Sequence, residues 1–129
     1  MSDTAYEERI VRTVEAFRRN RYDVSRFAER TAAADYLAAE IRGKRVGFGD
    51  SETLRALSLY ERLTVHNEVI DPPRAGHVGG IEAFLAAGRE ALMTDVFLLS
   101  ANAITEEGQI LNMDGAGNRV AGSLFGHEK

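Results

Sequence analysis

The stretch DVFLLSANAITEEGQILNMDGAGNR, residues 95–119, says most about the fold of this 129-residue chain. Its apolar start, residues 96–99, is typical of a buried strand. Hydroxyl, amide and carboxylate side chains follow, and glycines interrupt the stretch. Because ligands of open α/β sheets bind beyond the carboxyl ends of the strands, the stretch predicts an α/β fold with a ligand site where this strand ends.

The remainder of the chain alternates between helical and strand-like patterns. We expect helices near residues 3–20, 32–42, 51–63, 81–92 and 118–125, and strands near 22–27, 45–49, 63–70 and 95–99. The fourth helix should bury Ile81, Phe84, Leu85, Gly88 and Leu92. The Glu107-Gly108 turn predicts a hairpin that pairs residues 103–105 with 109–113.

Two prolines precede the fourth helix. Pro72 and Pro73 are expected to force an extended, non-helical connection. The glycine-rich residues 74–80 should then form a mobile loop. This order of elements predicts a largely parallel sheet with flanking helices. One domain should span residues 1–129, with its first helix at about 3–20 and its core at about 44–129.

Composition excludes several classes of function. The net charge of −4 argues against a duplex nucleic-acid binder. No cysteine is present, so disulfides, iron–sulfur clusters and zinc-thiolate sites are excluded within this chain, and no cofactor is expected. His66, His77 and His127 are too widely spaced to suggest a metal site. No segment has the pattern of a membrane span or signal peptide, so we expect a cytoplasmic protein.

The first candidate site is GFGDSET, residues 47–53, which joins a strand to a helix. The candidate ligand-binding residues here are Gly47, Gly49, Ser51 and Thr53. Glycines allow a sharp turn, and a helix N-terminus offers N–H groups to an anion. The alternative is a tight turn that Ser51 merely caps. Asp50 and Glu52 would repel an anion unless they bind cations or point away.

The second candidate site follows the strand at residues 96–99. We expect Asn102 and Asn112 to come together if the hairpin forms. Asp114 is the candidate catalytic acid or base, and its alternatives are an acceptor for a hydroxyl group or a turn cap. The other candidate ligand-binding residues of this segment are Ser100, Thr105, Gly115, Asn118 and Arg119. The alternative for the whole segment is a network of amides that cap turns.

Two motifs in this order resemble the lactate-utilization (LUD) domain family. They are RVGFGDSETLRALSLYERL, residues 45–63, and TDVFLLSANAITEEGQILNMDGAGNRVAGSLFG, residues 94–126. The resemblance covers nearly the whole chain. It implies a Rossmann-like fold of the NagB/RpiA/CoA-transferase-like superfamily and a ligand site between residues 49–53 and 100–118. Some members of the family act with iron–sulfur and flavin partners in oxidising lactate to pyruvate.

The chain also departs from the family pattern at its end. In LUD domains another apolar strand and a helix follow G-N-R, whereas this sequence stops at Lys129. A missing central strand would expose an open sheet edge. We therefore expect association into at least a homodimer, or a partner chain or rearranged fold that fills the gap.

Three functions remain open from the sequence. In the first, the chain binds a small anionic metabolite, a hydroxy or keto acid or a sugar phosphate, with or without turnover. In the second, it is a non-catalytic subunit of a redox complex whose iron–sulfur and flavin cofactors lie on partner chains. In the third, it is a scaffold whose main property is self-association. No contact with nucleic acid or membrane is expected in any of them.

Overall fold

The computed structural model describes residues 2–129, and their contacts divide them into two compact units. The smaller unit contains the chain up to Arg26 together with Ala101–Asn112. The larger unit contains Phe27–Ser100 and Met113–Lys129.

The larger unit is built on a parallel sheet. Its strands are β1 (Arg45–Phe48), β2 (Glu68–Ile70) and β3 (Val96–Leu98). The order is β2-β1-β3, and Val46 in the central strand pairs with Val69 on one side and Val96 on the other. The apolar character of these strands fits a sheet that is covered on both faces. The α/β class with a parallel sheet and flanking helices is thus confirmed.

Five helices belong to the larger unit: α2 (Arg30–Glu40), α3 (Glu52–Ala56), α4 (Leu59–Leu63), α5 (Pro72–Ala91) and α6 (Asn118–Gly122). The main core lies where α2, α3 and α4 contact the sheet, and Val46, Leu59 and Leu63 are fully buried in it. A second cluster joins Ile70, Ala91 and Phe97. Both clusters pack against the three parallel strands, whose carboxyl ends lie together at one edge of the sheet.

The prediction for residues 72–80 is wrong, because the chain is helical there. Pro72 and Pro73 occupy the first helical positions of α5, where a missing N–H group costs little. The helix is kinked at Gly80, which has a φ of 72°. This single break lies at the end of the segment for which the sequence predicted a loop. The predicted burial is also wrong for Ile81 and Leu85, which are 68% and 40% exposed.

Three other boundaries differ from the sequence prediction. Ser58 adopts a left-handed conformation with φ of 50°, which splits the expected third helix into α3 and α4. Leu63 therefore ends a helix, and the strand expected at residues 63–70 shortens to β2. No strand forms at residues 22–27. Arg21, with φ of 68°, turns the chain so that Tyr22 packs edge-on against Phe17.

The smaller unit combines a helix with a hairpin: α1 (Asp3–Arg19), β4 (Ala103–Ile104) and β5 (Ile110–Leu111). Ser2 caps α1 as expected. The predicted antiparallel hairpin is confirmed, with Ala103 opposite Leu111. Asn20 fastens the turn to the end of α1, since its amide donates to the carbonyl oxygens of Glu107 and Gly108 at 3.0 Å each.

The last residues of the chain run beside β3. The N–H of Glu128 donates to the carbonyl oxygen of Asp95 at 2.7 Å, and the N–H of Phe97 donates to that of Lys129 at 3.1 Å. These bonds satisfy two backbone groups on the outer edge of β3. Among residues 2–129, no helix combines the length and apolar character that crossing a bilayer requires.

Candidate functional site

The carboxyl ends of β1 and β3 bring two serines together. Ser51 follows β1 and Ser100 follows β3, and the hydroxyl of Ser51 donates to that of Ser100 at 2.8 Å. The Ser51 oxygen also accepts the N–H of Leu54 at 3.1 Å, which caps α3. The expected capping role of Ser51 therefore coexists with a polar contact between the two sequence motifs.

Gly49 lies directly against Arg119. A Cβ atom at Gly49 would come within 3.0 Å of Arg119 Cγ and 3.1 Å of Leu99 Cβ. A Cβ atom here would require Arg119 or Leu99 to shift by a few tenths of an ångström, so glycine permits this close approach. The turn after β1 and the start of α6 therefore meet at the same edge of the sheet.

Gly47 is required for packing inside the sheet. A Cβ atom there would lie 2.5 Å from the carbonyl oxygen of Ala91 and 2.8 Å from Thr94 Oγ1. These contacts explain the glycine without a ligand. The interpretation of Gly47 as a ligand-binding residue stays a prediction.

Arg119 and Asp114 form a nearly buried ion pair. Arg119 Nε donates to Asp114 Oδ1 at 2.8 Å, and the side chains are only 12% and 7% exposed. The second oxygen of Asp114 accepts the N–H of Val120 at 2.6 Å. Arg119 also donates to the carbonyl oxygens of Ser100, at 3.3 Å, and Met113, at 2.8 Å. The pair thus fastens the end of β3 to the start of α6.

The remaining predicted residues of the larger unit differ in their surroundings. Asn118 begins α6, and its Nδ2 is buried without a hydrogen-bond partner among residues 2–129. Thr53 is exposed on α3, and Gly115 lies in open space. Of these three, Asn118 has a buried donor that a ligand oxygen could satisfy.

The hairpin holds the other predicted residues, and it belongs to the smaller unit. Thr105 Oγ1 accepts the N–H of Gln109 at 3.1 Å, so this threonine caps the turn, as the structural alternative expected. The N–H of Asn102 donates to Leu111 at 3.0 Å, which closes the open end of the hairpin. Asn112 Oδ1 is buried and finds no partner within the described chain. Ligand contacts by these residues stay predictions.

The acidic residues beside the first motif are neutralised. Arg55 contacts Asp50 at 3.3 Å and also pairs with Glu52. Hydrogen bonding and the charge of Arg55 lower the pKa of the Glu52 carboxyl, and the same pair raises the pKa of Arg55. The expected repulsion of an anion by Asp50 and Glu52 is therefore offset by a cation of the same segment.

Sequence reasoning missed a second part of this edge, on the β2 side. A cavity of about 280 Å³ opens there, lined by Phe48, Leu54, Arg55, Ser58, Tyr60, Glu61, Asp71 and Arg74. Asp71 directly follows β2, and its side chain is 10% exposed. Burial raises the pKa of the Asp71 carboxyl, and a hydrogen bond from the Arg74 backbone and the positive charge of Arg74 oppose this. The signal was available, since a carboxylate directly after an apolar strand marks such an edge.

Metal binding finds no support in the described residues. No group of three or more His, Cys, Asp or Glu side chains within residues 2–129 could hold a metal ion. His127, one of the three histidines, instead stacks on Phe97 with ring centres 5.0 Å apart.

Comparison with known proteins identifies the family. The LUD domain family model matches residues 10–128. No curated protein and no solved structure matches the chain. The matched region contains β1 and β3 with the polar residues that follow them, as well as the cavity beside β2. Because the match covers nearly the whole chain, this protein belongs to the LUD domain family, which is associated with lactate utilization.

Proposed function

We propose that the chain binds a small anionic metabolite, a hydroxy or keto acid or a sugar phosphate, at the carboxyl edge of its parallel sheet. The observation that carries this proposal is the 2.8 Å contact between the hydroxyls of Ser51 and Ser100, beside Arg119. Two sequence motifs that are far apart in the chain supply these groups. Their position matches the crevice where ligands of open α/β sheets bind.

The chemistry of these groups suits an anion. A serine hydroxyl has one proton and two acceptor sites, so Ser100 can accept from Ser51 while donating to a ligand oxygen. Arg119 adds positive charge, although Asp114 shares it. The buried Nδ2 of Asn118 is a further donor. Asp114 would take part in proton transfer only if its bonds to Arg119 and Val120 opened, so binding is the better supported part of the proposal.

Isothermal titration tests this proposal with lactate, pyruvate, ribose 5-phosphate and inorganic phosphate. We expect at least one of them to bind, and Ser100→Ala to weaken binding roughly tenfold, which corresponds to one lost hydrogen bond to a charged group. Ser25→Ala, which removes an exposed serine of the smaller unit, is the matched control. Absence of binding by all four compounds would refute the proposal.

A second function, that of a scaffold whose main property is self-association, is favoured by one observation. Val78, Ile81 and Leu85 are 91%, 68% and 40% exposed along α5. Ile81 and Leu85 are four residues apart and share one face of the helix after the Gly80 kink, and Val78 lies before the kink. Exposed apolar faces of this kind often mark protein interfaces. Light scattering should then give a dimer mass, and Ile81→Glu should give a monomer. A monomeric wild type would refute this second function.

A further inference from the structure

We propose that the cavity at the carboxyl end of β2 binds a small carboxylate, and that Asp71 takes up one proton as that carboxylate enters. This inference goes beyond the proposed function. It concerns the opposite side of β1 from the Ser51–Ser100 contact, and it assigns both a ligand class and a proton to a named residue.

The first step of the argument is the shape and floor of the cavity. Its volume of about 280 Å³ equals that of about nine liquid waters, at roughly 30 Å³ each, so it suits a carboxylate of three to four carbons. Phe48 and Leu54 are buried and give it an apolar base. Such a base lowers the local dielectric and strengthens the polar interactions above it.

The second step is the state of Asp71. Its side chain is 10% exposed, yet its ion pair with Arg74 is long, at 3.4 Å between Oδ2 and Nε. Burial disfavours the charged carboxylate and raises the pKa of Asp71. A neutral Asp71 becomes a hydrogen-bond donor, which a ligand carboxylate needs. Two carboxyl groups that share one proton form a strong bond, whereas two ionised carboxylates repel each other.

The third step is the supply of positive charge. Arg74 and Arg55 line the cavity from α5 and α3. The guanidinium of Arg74 lies 3.8 Å from the centre of the Tyr60 ring, which holds it at the mouth. Arg74 also pairs with Glu61 on α4, which is 60% exposed. Exposed ion pairs contribute only about 0–1 kcal/mol, so a ligand carboxylate can replace Glu61 at low cost.

Other charged groups also face Asp71. Arg55 lowers the pKa of the Asp71 carboxyl, and Asp50, after β1, raises it. Arg55 is itself shared with Asp50 and Glu52. Among the residues that line the cavity, Arg55 and Arg74 balance the two carboxylates, Glu61 and Asp71, whereas Asp50 and Glu52 lie outside the lining. Uptake of a proton by Asp71 makes the site more positive at the moment when an anion enters, and this favours a carboxylate.

The test is titration calorimetry of the whole chain with lactate and malate, between pH 5 and pH 8 and in buffers of different ionisation enthalpy. We expect one proton to be taken up for each bound carboxylate. Affinity should then fall about tenfold for each pH unit above the pKa of Asp71, as linkage requires for one proton. The probe for a competing source of the anion is inorganic phosphate.

Asp71→Asn gives the sharpest variant. Asparagine caps a helix as well as aspartate does, so α5 should keep its start. The amide donates a hydrogen bond at every pH, so proton uptake should vanish, and affinity at pH 8 should rise at least about tenfold over wild type. Glu82→Gln, an exposed position on α5, is the control and should leave binding unchanged.

Several results would overturn the inference without touching the proposed function. They are wild-type binding with no proton uptake, uptake that persists in Asp71→Asn, and binding of phosphate alone. Loss of carboxylate binding in Ser100→Ala but not in Arg74→Gln would place the ligand at the serine pair and also refute it. Tighter, pH-independent binding by Asp71→Asn, together with weaker binding by Arg74→Gln, would support it.

Discussion

Two aspartate–arginine pairs at the same sheet edge differ in how fully their atoms are bonded. In the pair at the start of α6, Asp114 Oδ1 and Arg119 Nε are 2.8 Å apart, and both side chains are almost buried. In the pair after β2, Asp71 is equally buried, but Arg74 is 52% exposed and lies 3.4 Å away. The first pair joins parts of the chain to each other. The second borders a cavity.

This difference separates a structural carboxylate from one that is available to a ligand. Both oxygens of Asp114 accept bonds from the protein, so its burial is compensated. Asp71 has a long ion pair with Arg74 and a hydrogen bond from the Arg74 backbone, and burial outweighs both, so the pKa of its carboxyl is raised. The two residues should therefore respond to substitution with opposite signs of stability change.

The largest effect is expected for Asp114→Ala. Removing one partner of a buried ion pair leaves Arg119 with an uncompensated charge, which costs about 3–5 kcal/mol. The N–H of Val120 also loses its acceptor. Urea denaturation should show this loss of unfolding free energy, and the melting temperature should fall by roughly 10–20 °C.

A matched control is Asp35→Ala, which removes an exposed pair with Arg62 and should cost less than about 1 kcal/mol. Equal losses for Asp114→Ala and Asp35→Ala would contradict the view that the buried pair is structural. The comparison between the two sides of the sheet edge would then have no basis.

An intermediate effect is expected for Gly47→Ala, which tests the packing of β1, the central strand of the sheet. The added Cβ would meet the carbonyl oxygen of Ala91 at 2.5 Å, and this is backbone that cannot rotate away. We expect a loss of about 1–3 kcal/mol, as for other overpacked cores. Gly115→Ala is the control, because its Cβ would meet no atom within 4 Å. A Gly47→Ala variant as stable as Gly115→Ala would refute this account.

The strand patterns predicted the sheet because they rest on local information. Residues 96–99 are apolar and end in polar side chains, which is the signature of a buried strand at a ligand-binding edge. The Glu107-Gly108 sequence likewise predicted the hairpin. Glycine tolerates positive φ in a tight turn, and Gly108 adopts a φ of 81° there. Proline was misread, because the same residue that breaks a helix can also begin one. Pro72 and Pro73 show the second behaviour.

The site was only partly predictable, for a reason that lies in strand order. The sequence suggested that the segments after β1 and β3 meet, and Ser51 and Ser100 do so. The sequence did not indicate that β1 is the central strand. The end of β1 therefore lies beside β2 as well as beside β3. The cavity at Asp71 further depends on the break at Ser58, a left-handed serine that no local pattern marks.

The smallest effect, and the one of opposite sign, is expected for Asp71→Asn. A carboxyl whose pKa is raised on folding adds stability below its unfolded value near 3.8, and that stability is lost as the pH rises through the folded value. At pH 7 the burial of a charged carboxylate therefore reduces the free energy of unfolding of the wild type, and asparagine carries no such charge.

The Asp71→Asn variant should melt a few degrees higher than the wild type at pH 7, since 1 kcal/mol corresponds to roughly 2–8 °C. The gain should disappear below about pH 4, where the wild-type carboxyl is neutral in both states. Thermal melts of both proteins across this range measure it. A variant that melts below the wild type at pH 7 would show that Asp71, like Asp114, stabilises the fold through its charge, and the contrast between the two pairs would fail.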